Sequence, residues 1–154
     1  MAGGASRLHD SANLAIPRDL RADAIVGADA WGRNAISIDY RSGLVTYHQS
    51  GIERSQMKTF RFRNEPMISV MIDGRRVDAI VDTSSPDTLV LPAATSSRGT
   101  VNVTVAETNF GATDVQYANV AVPRIGNRLL SRFLVTIDYG RRVVGLWRDP
   151  RIAL

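Results

Sequence analysis

Ala79-Ile80-Val81-Asp82-Thr83-Ser84-Ser85-Pro86-Asp87-Thr88-Leu89-Val90 runs from an apolar strand through a turn of small and polar residues into a second apolar strand. It leaves one carboxylate, Asp82, at the strand end. Upstream, Met67 to Ile72 and Val77 to Val81 flank Asp73-Gly74, and alternating residues around Asp-Gly predict a tight hairpin. Ala35-Ile36-Ser37-Ile38-Asp39-Tyr40 also alternates, Arg41-Ser42-Gly43 turns, and Leu44-Val45-Thr46-Tyr47 returns. Further β-rich runs are Leu89–Leu91, Thr100–Ala106, Val115–Val122, Phe133–Tyr139 and Val143–Trp147. Helical periodicity is confined to one or two turns near Ala28–Arg33 and Asn127–Arg132. The expected class is mainly β.

An internal repeat organises these runs. Ile38-Asp39-Tyr40 returns as Ile137-Asp138-Tyr139, and the same offset of 99 residues carries Gly27 onto Gly126, Arg33 onto Arg132, Ser37 onto Thr136 and Leu44-Val45 onto Val143-Val144. An apolar–Gly turn, a short helix and a hairpin therefore occur twice, but only the second copy has a full set of strands before it. The expected organisation is a flexible leader at 1–15, a half-unit at 16–50, a linker at 51–58, a whole unit at 59–150 and a tail at 151–154.

Composition removes several function classes. The 154 residues contain no cysteine, which excludes a thiol nucleophile and Cys-based zinc or iron–sulfur sites. Two histidines, His9 and His48, exclude a histidine-rich metal cage, so no metal or cofactor is expected. Neither an 18-residue apolar run nor a basic–apolar–small leader occurs, so no membrane span is expected. The formal charge is +4, yet Lys58 is the only lysine and the arginines are scattered as singles and pairs. A dispersed arginine surface points to no nucleic-acid partner. His48 has no Gly-x-Ser-x-Gly elbow to serve, and no phosphate-binding glycine loop is present.

The segment around Asp82 resembles the aspartic peptidases of the pepsin and retropepsin type, whose lobes carry hydrophobic–Asp-Thr-Gly-Ser/Ala, paired later with a hydrophobic–hydrophobic–Gly segment. Arg124-Ile125-Gly126 stands where that segment belongs, and Ile25-Val26-Gly27 is its counterpart in the half-unit. The stretch Leu129-Leu130-Ser131-Arg132-Phe133, with Val135 to Tyr139, looks like the lobe ending of bacterial two-lobed aspartyl-protease-like proteins. The resemblance covers nearly all of 16–150. It implies a closed β-barrel lobe with short helices at 59–150, preceded by the C-terminal half of another such lobe. It further implies Asp82 as the catalytic carboxylate and Thr83 as the residue locking opposed loops. Ser84, Ser85, Ile125 and Gly126 would support the loop, leaving Ile25, Val26 and Gly27 as a partner segment without its own Asp-Thr turn.

Two carboxylates about 3 Å apart cannot both ionise, so they share one proton, and one can act as base on water while the other acts as acid. This chain departs from the pattern twice. Ser84 replaces the family's glycine, which implies strain or a shifted loop if that position needs a positive φ. Only one Asp-Thr turn is present, so the second carboxylate has to come from a homodimer mate or a separate upstream fragment. Asp39 and Asp138 read as turn acceptors, Asp73 belongs to its hairpin, and Asp87 as solvated or capping a turn. Asn102-Val103-Thr104 is a formal glycosylation sequon.

The leading expectation is an aspartic-type endopeptidase, or a subunit of one, acting on an extended peptide or protein. The alternatives are a non-catalytic peptide-binding or structural domain inactivated at Ser84, and an unrelated all-β module whose loop imitates the motif. By analogy with bacterial relatives of this type, a periplasmic or secreted location is expected.

Overall fold

Alternation of buried with more exposed side chains builds the long barrel strands, whereas the central sheet strands are buried on both faces. In the computed structural model, which describes residues 27–48 and 56–151, β4 (Met67–Ile72) buries Ile68, Val70 and Ile72, and β7 (Ser97–Val105) buries Val101, Val103 and Val105. The remaining elements are α1 (Ala28–Trp31), β1 (Ala35–Asp39), β2 (Leu44–His48), β3 (Lys58–Arg61), β5 (Arg75–Val81), β6 (Leu89–Pro92), β8 (Thr108–Ala118), β9 (Arg124–Ile125), α2 (Asn127–Leu130), β10 (Leu134–Asp138) and β11 (Val143–Trp147). The mainly β class and the closed barrel are both present. Residues 1–26, 49–55 and 152–154, including Ile25, Val26, the leader and most of the linker, lie outside the described residues.

Six strands close a barrel in the order β4-β5-β9-β6-β8-β7. Within it β9 is parallel to β5 and antiparallel to β6, and β6 is parallel to β8. Asp73 and Gly74 both adopt positive φ (46° and 76°) between β4 and β5, as a two-residue hairpin turn requires. The other five strands form an antiparallel sheet, β2-β1-β10-β11-β3. Its core residues Ile36, Val135, Val144 and Leu146, with Phe62 just after β3, belong to one hydrophobic cluster with the barrel's Ile68, Leu89 and Ile125.

The 99-residue repeat reappears as a local two-fold axis. β1 pairs with β10 in the register Ser37↔Thr136, and these two residues are each other's repeat counterparts. Their hydroxyls are 2.7 Å apart, and Ser37 Oγ also lies 2.8 Å from His48 Nε2. Thr136 is fully buried, so this contact satisfies a polar group that burial would otherwise penalise. Both Ile-Asp-Tyr hairpins close alike. Asp39 Oδ1 accepts from the Arg41 and Ser42 amides, and Asp138 Oδ1 accepts from the Arg141 amide, which is the turn role expected of them. The half-unit's hairpin is thus sheet-paired with the whole unit.

Some boundaries differ from expectation. The run expected at Val115–Val122 is the end of a longer strand, β8, which begins at Thr108 and stops at Ala118. Its first half is polar, and the turn before it, Ala106-Glu107 (φ 47° and 68°), has the positive φ of a tight hairpin without Gly or Asn. β3 and the two-residue β9 were not anticipated.

The axis relates strands with unequal cover. Val143 and Val144 on β11 are 2% and 0% exposed, whereas their counterparts Leu44 and Val45 on β2 are 61% and 58% exposed. Val144→Ala is therefore expected to lower stability by about 2 kcal/mol, combining lost burial and a cavity. The counterpart Val45→Ala should change it by less than about 0.5 kcal/mol. Urea denaturation of the isolated chain measures both.

Candidate active site

The loop between β5 and β6 is laced to the segment around Gly126 by main-chain hydrogen bonds. The Asp82 amide donates to Ile125 O (2.9 Å), the Gly126 amide to Thr88 O (3.1 Å), the Asn127 amide to Ser85 O (2.8 Å) and the Arg128 amide to Asp87 O (3.3 Å). A Cβ at Gly126 would sit 2.9 Å from Ser85 O and closer still to Asp87 O, so glycine is needed for this approach. The Leu129 and Leu130 amides then return to Gly126 O, starting α2. The two separated sequence segments form one unit of structure.

Asp82 lies at the lip of this unit with its side chain 12% exposed. Its Oδ1 accepts from the Ser84 hydroxyl (2.6 Å) and the Ser84 amide (3.1 Å). Its Oδ2 accepts from Arg124 Nη1 at 3.0 Å. Burial acts to raise the carboxyl's pKa. The Ser84 hydroxyl, the Arg124 guanidinium and the Ser84 amide together outweigh it and hold Asp82 below its ordinary 3.8. The expectation of strain at Ser84 is corrected, because its φ is not among the positive ones. Its side chain instead caps the carboxylate.

Thr83 is exposed, and its carbonyl accepts from Asn127 Nδ2 at 2.9 Å. Ser85 is half-buried, with Oγ accepting from the Asp87 amide at 3.3 Å, a turn contact for Asp87. Ile125 and Gly126 are buried behind the loop. Gly27 is exposed at the start of α1, where a Cβ would meet only the Asp29 side chain among the described residues. The loop that crowds Gly126 has no described counterpart there.

Three further residues belong to the site. Arg124 occupies the first hydrophobic position of its segment, and a charge in that place was the available signal. Tyr40, in the half-unit, donates to Asn127 Oδ1 (2.7 Å), and Asn127 passes the contact on to Thr83. Burial, then the nearby Asp82 charge, pushes the Tyr40 phenol up to about 12. The half-unit thereby reaches the Asp82 loop through Tyr40.

No family model and no curated protein matches the chain. Among solved structures, it is similar to a retropepsin-like aspartic protease from Rickettsia conorii, with TM-score 0.46 and 17% identity over 62% of this chain and 96% of that one. The EIAV protease complexed with the inhibitor HBY-793 is matched with TM-score 0.38 and 18% identity, over 46% of this chain and 89% of that one. The likeness is one of fold.

Arg124→Leu should raise the Asp82 pKa, read from the pH dependence of its carboxyl ¹³C shift. Because the folded pKa is lowered, the pair stabilises the chain above the unfolded carboxyl's pKa and ceases to as pH falls through the folded value. The variant's stability deficit, about 1 kcal/mol or less for a half-exposed partner, should be present at pH 7 and vanish in strong acid. Gly126→Ala should cost about 3 kcal/mol through forced displacement of the Asp82 loop, measurable by thermal unfolding.

Proposed function

We propose that this chain supplies one catalytic lobe of an aspartic-type endopeptidase, with Asp82 as one of two carboxylates that activate a water against a peptide carbonyl. The observation that carries this reading is the lacing of the Asp82 loop to Ile125-Gly126. It holds a carboxylate at the lip of a barrel on rigid main chain, with an amide and a hydroxyl fixing one oxygen. The second carboxylate comes from another lobe, either a homodimer mate or an upstream fragment.

In this mechanism Asp82 is the ionised member of the pair, since Ser84 and Arg124 favour its charged form. It takes a proton from the water as the second, protonated carboxyl donates to the substrate carbonyl oxygen. Thr83 and Ser84 keep the loop in place. The substrate is an extended peptide held by main-chain hydrogen bonds.

One observation favours the alternative of a non-catalytic peptide-binding or structural domain. Both Asp82 oxygens are engaged, one by the Ser84 hydroxyl and one by Arg124, and an arginine-paired carboxylate resists the proton sharing on which the chemistry depends. Ser84→Gly separates the readings. Activity present in the natural sequence and retained or reduced in the variant supports the peptidase; activity arising only in the variant supports the inactivated domain.

Peptide cleavage, assayed with rising protein concentration and light scattering on the same samples, should appear only in assembled species. Asp82→Asn should reduce it by at least about 10³-fold. Rate should peak in acid: as pH rises the second carboxyl loses its proton, and at the low extreme Asp82 gains one. A maximum near pH 8, or full activity in a proven monomer, contradicts the shared-proton mechanism.

A further inference from the structure

Arg124 stands on the face of β9 that the barrel core does not use. Its neighbour Ile125 is fully buried in the core, so Arg124 points the opposite way, as successive strand residues do. The register sets it beside Ile80 of β5, which is half-buried, and Val90 of β6, which is buried outside the core cluster. Ile80 lies two residues before Asp82. An apolar floor with one cation therefore adjoins the carboxylate. That cation is held loosely. Arg124 is half-exposed and spends one of its five N–H donors on Asp82, Nη1 to Oδ2 at 3.0 Å. Its side chain has no other partner among the described residues. A carboxylate offered in the guanidinium plane takes two parallel N–H···O bonds, a stronger arrangement than the single one present. Asp82 does not supply that pairing, since its Oδ1 accepts from the Ser84 hydroxyl and amide.

We propose that Arg124 is the specificity residue of this site: it receives the carboxylate of an Asp or Glu side chain next to the peptide bond under attack, and in doing so it leaves Asp82. Resting on the peptidase reading of Asp82, this role adds the substrate class. The methylene of the acidic side chain packs on Ile80, and its carboxylate takes the guanidinium fork. The contact that resists proton sharing is then removed by the substrate itself. Ser84 stays on Oδ1 and keeps Asp82 charged, while Oδ2 is opened to the water and the second carboxyl. A neutral or basic side chain offers Arg124 nothing better than Asp82 and leaves it in place. The site is latent toward such peptides and is switched on by acidic ones.

Two pairs of probes test this at pH 5, above the ordinary glutamate value of about 4.3, so that the probe carboxylate is charged. In the first, N-acetyl-glutamate N-methylamide and its glutamine counterpart are titrated at millimolar concentration into the full ¹³C,¹⁵N-labelled chain. The glutamate probe should shift the Arg124 Nε–H signal and the Asp82 carboxyl ¹³C signal together, and bind about tenfold more tightly than the glutamine probe. The second pair is two hexapeptides that differ only in Glu or Gln beside the cleaved bond, assayed on the assembled species. Here kcat/KM should favour the Glu peptide by at least about tenfold. Arg124→Leu should reverse the order, raising the rate on the Gln peptide and lowering that on the Glu peptide, and Arg124→Lys should keep part of the preference. Barrel amide signals verify that each variant folds. Equal binding of the two probes, a glutamate preference that survives Arg124→Leu, or an equal loss of rate on both peptides would overturn the proposal. The two readings fail separately. Cleavage without glutamate preference removes Arg124 as the specificity residue and leaves the peptidase. Glutamate-selective binding with no cleavage of any peptide removes the peptidase and leaves Arg124 as a receptor for acidic side chains.

Discussion

The close approach of Gly126 to the carbonyls of Ser85 and Asp87 is the constraint on which the arrangement turns. A side chain there would push the loop after β5 away from the barrel. Without the approach, the hydrogen bonds from the Gly126, Asn127 and Arg128 amides could not form, and the loop carbonyls of Thr88, Ser85 and Asp87 would lose these partners. The two-residue β9 depends on the same contact, since so short a strand is held by its neighbours on both sides rather than by its own length. α2 begins from the same glycine, and Asp82 is presented by the loop that the glycine admits. One missing Cβ therefore sets the position of a strand, a helix and a carboxylate.

Asp82 also sits between opposed demands. A carboxylate partly buried on a barrel lip is disfavoured as an anion, and Ser84 and Arg124 more than offset that by donating to it. In the proposed mechanism, the same donors that keep it charged occupy the lone pairs that a water or a second carboxyl would approach. The hydroxyl of Ser84 can rotate and Arg124 is half-exposed, so neither contact is locked by packing as Ile125 and Gly126 are. The rigid and adjustable parts of the site are thus separate: main chain fixes where the carboxylate is, and two mobile polar groups govern its charge.

What could be read from the sequence follows the physics of each element. A strand with one face buried shows alternation, which marked Met67–Ile72; Ala35–Asp39 alternates in sequence although Ala35, Ile36 and Ser37 are all buried, and Asp73-Gly74 announced its turn because both positions adopt positive φ. The Asp82 loop and its partner at Ile125-Gly126 were legible through their resemblance to a known motif, and the glycine of that motif is the position where a Cβ would meet the loop carbonyls. β3 was hidden because Lys58, Thr59, Phe60 and Arg61 hold an edge with little burial, and β9 because two residues have no period. The Ala106-Glu107 turn was hidden because its positive φ values are imposed by the flanking strands on residues that do not favour them. Tyr40 and Asn127 met only through the sheet: their contact spans 87 residues and no local pattern encodes it. At Thr83 the described contact is made by the main-chain carbonyl, which no side-chain pattern encodes, and the capping of Asp82 by the Ser84 hydroxyl depended on a rotamer.

The pairing of β1 with β10 carries a kinetic consequence. Closing a chain segment of 99 residues from the unfolded state costs about 4 kcal/mol of loop entropy. If β3, β10 and β11 are already assembled, the same hairpin is tethered to the sheet only through residues 49–57, and the closure cost falls to about 2 kcal/mol. Contact order thus favours a sequence of events in which the barrel and its own three sheet strands form first. The β1–β2 hairpin, whose own contacts are local, then docks as a preformed piece onto β10. The strand bearing Ser37 is the last to find its register, and the hydroxyl pair on the axis closes a structure that the rest of the chain has already built.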